Sequence, residues 1–273
     1  MNTYKGIADV NETIIATGKY TAPSGMAVQI GDAVAAACAA TVSYTPEDLD
    51  RLLDAAPHAT ASTRIEVTGE SSMSAARRLH DEAAERIAVL NFASARNAGG
   101  GYLRGARAQE EDLCRTSALY TTLCQAPDYY AAHRASKDPA YSHRVIYSPA
   151  VPVYRDVQYR LLETPYQVAF LTSPAPNAGV IARDRPANVA ALPDLLAARA
   201  VRVLAVAAHH KCRTLVLGAW GCGVFRNDPA QVAAAFRRNL SAGGSFEGAF
   251  ERIVFAVLDK TASQLNLTAF RTA

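Results

Sequence analysis

The sequence predicts a single α/β domain with an N-terminal, mainly helical extension, and three observations predict it. Apolar runs of strand length alternate with amphipathic helical stretches over most of the chain. Two glycine-rich stretches each follow a predicted strand and precede a predicted helix. Half of the 273 residues are hydrophobic, enough for a sizeable core.

In order, residues 1–60 are expected to pack on the core as the extension, with residues 61–273 forming the main domain as one structural unit. A helix is expected over Ala33–Ala40. A second runs from a Thr45 cap, with Pro46 at its first position and Asp48 at its third, through Leu53. Tyr20–Gly25, YTAPSG, is a turn. Ile65 and Val67 alternate as a strand, and Met73, Ala76, Leu79 and Ala83 line one side of a helix ending near Glu85. Ile87–Leu90 is the buried strand that completes a β-α-β unit. Leu113, Ser117, Tyr120 and Cys124 recur at helical spacing, and Cys124–Arg144 reads as a long polar surface connection. Val145–Tyr147, Val151–Tyr154 and Tyr166–Leu171 are expected as short strands separated by Pro149, Pro152 and Pro165. Ala187–His210 is helical, Thr214–Leu217 a strand, Gly218–Asp228 a glycine-rich turn, Pro229–Leu240 a helix and Arg252–Leu258 a closing strand.

Composition excludes several classes. A formal charge of +3 with no Lys/Arg block gives no polyanion-binding tail, so no direct nucleic-acid binding is expected. Five cysteines, Cys38, Cys114, Cys124, Cys212 and Cys222, form no CxxC pair and suit free thiols in a reducing interior. The N-terminus lacks a signal-peptide core, and no apolar run approaches the roughly 18–20 residues that span a bilayer. A cytoplasmic protein without a membrane partner is expected.

The candidate chemistry sits in the two glycine stretches. In Asn91–Arg115, NFASARNAGGGYLRGARAQEEDLCR, three consecutive glycines suit a backbone that must approach a phosphate or ribose closely. Glu110, Glu111 and Asp112 suit the dipole of the helix they begin, and Glu111 stands i,i+4 from Arg115, so in isolation a solvated acidic first turn is the better reading of them. Neighbours on a helix point about 100° apart, so Glu110 and Glu111 are not a facing pair; one catalyses while the other positions. The second stretch, Gly218, Gly221 and Gly223, runs GxxGxG and lacks the lysine and Ser/Thr of a P-loop. Two such loops at strand ends make a diphosphate cradle, with Phe225 either in the core or against a ribose or base. His209 and His210 adjoin Lys211 at a helix end, which suits the dipole better than a metal. Cys222 has no basic neighbour to activate it. Tyr129 and Tyr130 either stack on a base or, the more ordinary fate, pack or line the surface.

Gly99-Gly100-Gly101, seven residues, then Gln109-Glu110-Glu111 resembles the GGG...QEE signature of poly(ADP-ribose) glycohydrolases. The LNFASARNAGGG and GAWGCGVF segments look like the bacterial, microbial-type branch of that family, and a weaker likeness covers most of the chain. The resemblance implies a macrodomain-like mixed central sheet flanked by helices, with ADP-ribose in a cleft at the strand ends. It implies Glu111 as the catalytic acid, Glu110 holding ribose hydroxyls, Gly99, Gly100 and Gly101 beside the catalytic ribose, and Gln109 supporting their loop. It implies Gly221, Cys222, Gly223 and Val224 around the diphosphate, Phe225 on the distal ribose, and Asn97 contacting that ribose or bracing the loop. Neither metal nor cofactor is implied; poly(ADP-ribose), ADP-ribose and ADP-ribosylated carrier proteins are the expected partners. A non-catalytic ADP-ribose-binding macrodomain and a mono-ADP-ribosyl-protein hydrolase are the rival readings. Cleavage passes through an oxocarbenium-like transition state and needs a proton donor, so desolvation has to outweigh the helix dipole, which favours the carboxylate.

Overall fold

The chain builds a seven-stranded mixed sheet between two helical layers, and the computed structural model describes residues 3–54 and 62–272. The boundary expected at 60/61 lies outside the described residues. The early part comprises α1 (Thr3–Thr17), a small hairpin of β1 (Lys19–Thr21) and β2 (Ala27–Gln29), α2 (Gly31–Ala39), β3 (Val42–Tyr44) and α3 (Pro46–Asp54). Then follow β4 (Arg64–Thr68), α4 (Ser72–Asp81), β5 (Ile87–Phe92), α5 (Gln109–Thr116), α6 (Leu119–Leu123) and α7 (Pro127–Ala135). The remainder is β6 (Val145–Arg155), β7 (Leu161–Ser173), α8 (Ala178–Asp184), α9 (Leu192–His209), β8 (Thr214–Leu217), α10 (Pro229–Leu240), β9 (Arg252–Ala256) and α11 (Leu265–Thr272).

Strand order is β3-β6-β7-β5-β8-β9-β4, with β7, β5, β8, β9 and β4 mutually parallel and β6 antiparallel to its neighbours. The central parallel strands β5, β8 and β9 are apolar on both faces because helices cover both. Val89, Val216 and Val254 face the layer holding Met73, Leu113 and Tyr129. Leu90, Leu215, Leu217 and Phe255 face the layer holding Leu204 and Phe236. Each such fully buried aliphatic chain contributes about 1.5–3 kcal/mol. From β5 the chain passes to β6 and β7 on one side and later to β8 on the other, so the order reverses at β5. A crevice at such a reversal is where open α/β sheets take ligands.

Several expectations are corrected. Cys124–Arg144 is not a plain surface connection: Pro127 starts α7, whose Tyr129, Tyr130 and His133 are buried on one face. Asp128 and Arg134, which flank them, are exposed on its outer face and hide the period. The three short strands are two long ones, β6 and β7, paired antiparallel; Pro149 falls in a register shift between Ser148 and Val151, where the missing N–H costs no ladder bond. Helix α4 stops at Asp81 because Ala83 turns left-handed at φ 57, with its N–H on His80 O and that of Ala84 on Leu79 O. Such a stop ordinarily carries glycine, and without one the sequence runs the helix on. The predicted stretch Asp112–Cys124 breaks at extended Ser117, and α11 was not expected.

Candidate active site

The C-terminal end of β5 releases the first glycine loop, and Gln109 ties that loop's far end back to the strand. Its Oε1 accepts from Phe92 N–H at 2.9 Å, while Nε2 donates to Leu90 O at 2.8 Å and Ser72 Oγ at 3.1 Å. The side chain thus binds β5, α4 and the start of α5 together, which delivers the next two residues into the loop.

Those residues are not a solvated first turn. Glu110 is 3% exposed and Glu111 7%. Glu110 Oε2 accepts from Ser94 N–H at 2.6 Å and Oε1 from Asn91 Nδ2 at 3.2 Å. Glu111 Oε1 accepts from Gly101 N–H at 2.7 Å and Oε2 from Ala108 N–H at 2.9 Å. A Cβ on Gly100 would lie 2.5 Å from Glu111 Oε1 and 3.0 Å from Glu110 Oε2. Both carboxylates therefore converge on one glycine despite their helical offset, because each is drawn by backbone donors of the same loop. Gly100 also sits at φ +60, so glycine is required there twice over.

Arg115 does not pair with Glu111 as its spacing suggested. Its guanidinium donates to Ala106 O and lies over the Tyr4 ring, 4.8 Å from the centroid. Asp112 accepts a half-buried hydrogen bond from the Tyr159 hydroxyl. Burial pushes Glu110 up to about 8 against the donors Ser94 and Asn91, with the Glu111 charge adding to the rise. Glu110 thus keeps a proton near neutrality.

Asn97 is exposed; its backbone braces the turn, with Asn97 O accepting from Gly100 N–H at 3.0 Å and its own N–H on Ser94 Oγ at 3.2 Å. Asn91 is a site residue that sequence reasoning missed. It is fully buried in β5 and donates to both Glu110 and Thr172. The available signal was a lone amide closing an apolar strand, IAVLNF.

The second loop leaves β8 beside β5. Gly221, at φ +72, packs so closely that a Cβ would lie 2.4 Å from the Ala175 methyl. Asn227 Nδ2 closes the loop onto Gly221 O at 3.1 Å and Pro176 O at 2.8 Å. Gly223 has no atom within 4 Å of an added Cβ, and Val224 is 84% exposed, an unusual position for a large apolar side chain. Phe225 is half-buried, its ring 5.9 Å from that of Tyr141. Burial raises the Cys222 thiol to about 12, which keeps it protonated. A cleft of about 390 Å³ opens between the loops, walled by Ser72, Phe92, Ala108, Gln109, Cys222 and Gly223. It does not include the two glutamates, which gather at Gly100. His210, 2.8 Å from the Tyr44 hydroxyl and stacked on Tyr147, belongs to a separate aromatic cluster. Tyr129 and Tyr130 are core residues.

Comparison with known proteins then decides the family. The family model for the catalytic domain of microbial-type PARG matches residues 8–156. The chain belongs to that family. It is similar to the poly(ADP-ribose) glycohydrolase of Thermomonospora curvata at 50% identity, with a TM-score of 0.96 over 100% of this chain and 99% of that one. The same bacterial protein bound to the inhibitor ADP-HPD superposes with a TM-score of 0.93 over the same shares. The Deinococcus radiodurans PARG in complex with ADP-ribose matches at 49% identity and a TM-score of 0.83, covering 88% of this chain and 96% of that one. A search of curated proteins returned no match. The mixed α/β fold with helices on both sheet faces is thus that of the bacterial PARG structures.

Proposed function

We propose that this enzyme is a poly(ADP-ribose) glycohydrolase in which Glu111 serves first as general acid and then as general base. The observation that carries the reading is the convergence of two buried carboxylates on the backbone of Gly100. Glu111 gives its proton to the ribose oxygen leaving the anomeric carbon as the glycosidic bond breaks. Its carboxylate then takes a proton from the water that attacks the oxocarbenium-like carbon. Glu110, held neutral by burial, hydrogen-bonds ribose hydroxyls and adds no second charge beside the Glu111 carboxylate of the base step. Gly99–Gly101 lie along that ribose, Gly221–Val224 turn backbone N–H groups to the diphosphate, and Phe225 packs on the distal ribose. The 390 Å³ cleft takes the nucleotide end.

Polymer on ADP-ribosylated carrier proteins is the proposed substrate, and a macrodomain-type cleft the proposed setting. A cytoplasmic location suits the five free thiols. In the test, Glu111→Gln is expected to lower release of ADP-ribose from labelled polymer by about 10²–10⁴-fold, with ADP-ribose binding by calorimetry retained. Wild-type turnover in that variant would sink the assignment.

A further inference from the structure

A buried cation outside the proposed chemistry holds the supports of the second loop. Arg199, on α9, is fully buried. Its guanidinium donates to Pro174 O at 2.9 Å, Ala140 O at 2.8 Å and Tyr141 O at 3.1 Å, and its Nε–H reaches His143 Nδ1 at 3.4 Å. These acceptors are neutral, for burial pushes His143 down to about 4. They belong to two turns, and each turn carries part of the second glycine loop.

The turn after β7 supplies the methyl of Ala175, against which Gly221 packs, and Pro176 O, which accepts from Asn227 Nδ2. Its continuation supplies Gly179 N–H, which holds Phe225 O at 2.9 Å. The turn before β6 supplies Tyr141, whose ring stands 5.9 Å from Phe225. Tyr141 is left-handed at φ 58, an unfavourable state for a bulky residue that persists only where its surroundings over-determine it. Two of the Arg199 hydrogen bonds fall on the carbonyls either side of this residue's nitrogen and carbon. One side chain thus fixes both the shelf under Gly221 and the wall beside Phe225.

We infer that Arg199 is a positioning residue for substrate: by holding both turns it sets where Gly221–Phe225 stands, without touching the ligand. The inference rests on the assignment of that loop to ADP-ribose. A purely structural arginine would cost stability everywhere and leave no signature confined to this loop. The second glycine loop is the part that should respond, because the first is tied down separately by Gln109 and Glu111.

The test uses Arg199→Lys and Arg199→Met in the full chain, each alone and combined with Phe225→Ala. ADP-ribose affinity is measured by calorimetry, and amide hydrogen exchange is followed in the ligand-free protein. Arg199→Met is expected to weaken ADP-ribose about tenfold, Arg199→Lys to recover part of that, and Phe225→Ala to add less in the Arg199 variants than alone. Amides of residues 221–227 should lose protection while those of 99–108 keep theirs. Where Arg199→Met does not fold, Arg199→Lys carries the same comparison. Unchanged affinity and loop protection in the folded variants, or losses that simply add to those of Phe225→Ala, overturn the inference. If the wild type binds no ADP-ribose, the ligand assignment fails, while exchange at 221–227 still decides whether Arg199 holds the loop.

Discussion

Gly100→Ala puts a methyl group where both glutamates meet. The new carbon falls 2.5 Å from Glu111 Oε1 and 3.0 Å from Glu110 Oε2, and the backbone there is left-handed at φ +60. Relief of the first contact to van der Waals distance requires a retreat of about 1 Å by the Glu111 carboxylate. That retreat strains its bond to Gly101 N–H, now 2.7 Å. A 1 Å misplacement of a reacting group costs on the order of 10²-fold in rate. The left-handed backbone adds roughly 1–2 kcal/mol, a fall of about 2–4 °C in Tm for a domain of this size. Release of ADP-ribose from polymer under saturating conditions reads the first effect, and thermal melting the second. Gly6→Ala, in α1 with no atom within 4 Å of its added Cβ, is the control. It should keep full activity and gain up to about 1 kcal/mol from helix propensity. Turnover of Gly100→Ala within about threefold of wild type, in a folded protein, refutes the argument that this approach seats the acid.

Gly223→Ala separates space for the fold from space for a ligand. Nothing stands within 4 Å of its Cβ and its backbone is not left-handed, so stability should stay within about 0.5 kcal/mol while ADP-ribose affinity falls; equal affinity would remove Gly223 from the ligand's path. Glu110 predicts a pH dependence. Burial raises it from 4.5 to about 8, so the unfolded chain loses a proton that the folded one keeps. Its contribution is therefore fully present below 4.5 and drains as pH rises through 8, at up to about 1.4 kcal/mol per pH unit within that window. Urea unfolding across the window should show wild type losing stability relative to Glu110→Ala; parallel pH profiles would contradict a protonated Glu110.

The sequence by itself determined the strand and helix that flank the second glycine loop. Thr214–Leu217 and Pro229–Leu240 fall where their period and the N1 proline put them, since local pattern and capping agree there. The glycine spacing likewise marked the two loops, because Gly99, Gly100, Gly101, Gly218 and Gly221 each answer a close approach, Gly223 alone of these standing clear. Sequence could not settle the state of Glu110 and Glu111. An acidic first turn looks alike whether solvated or buried, and only the packing of α5 against β5 and the loop removes water from it. Asn91 acquires its role from Thr172 and Glu110, neighbours 81 and 19 residues away. Arg199 lay inside an alanine-rich helix with no motif around it. Its meaning comes from carbonyls on two turns that only the folded sheet brings together, and long-range juxtaposition of that kind leaves no period in the chain.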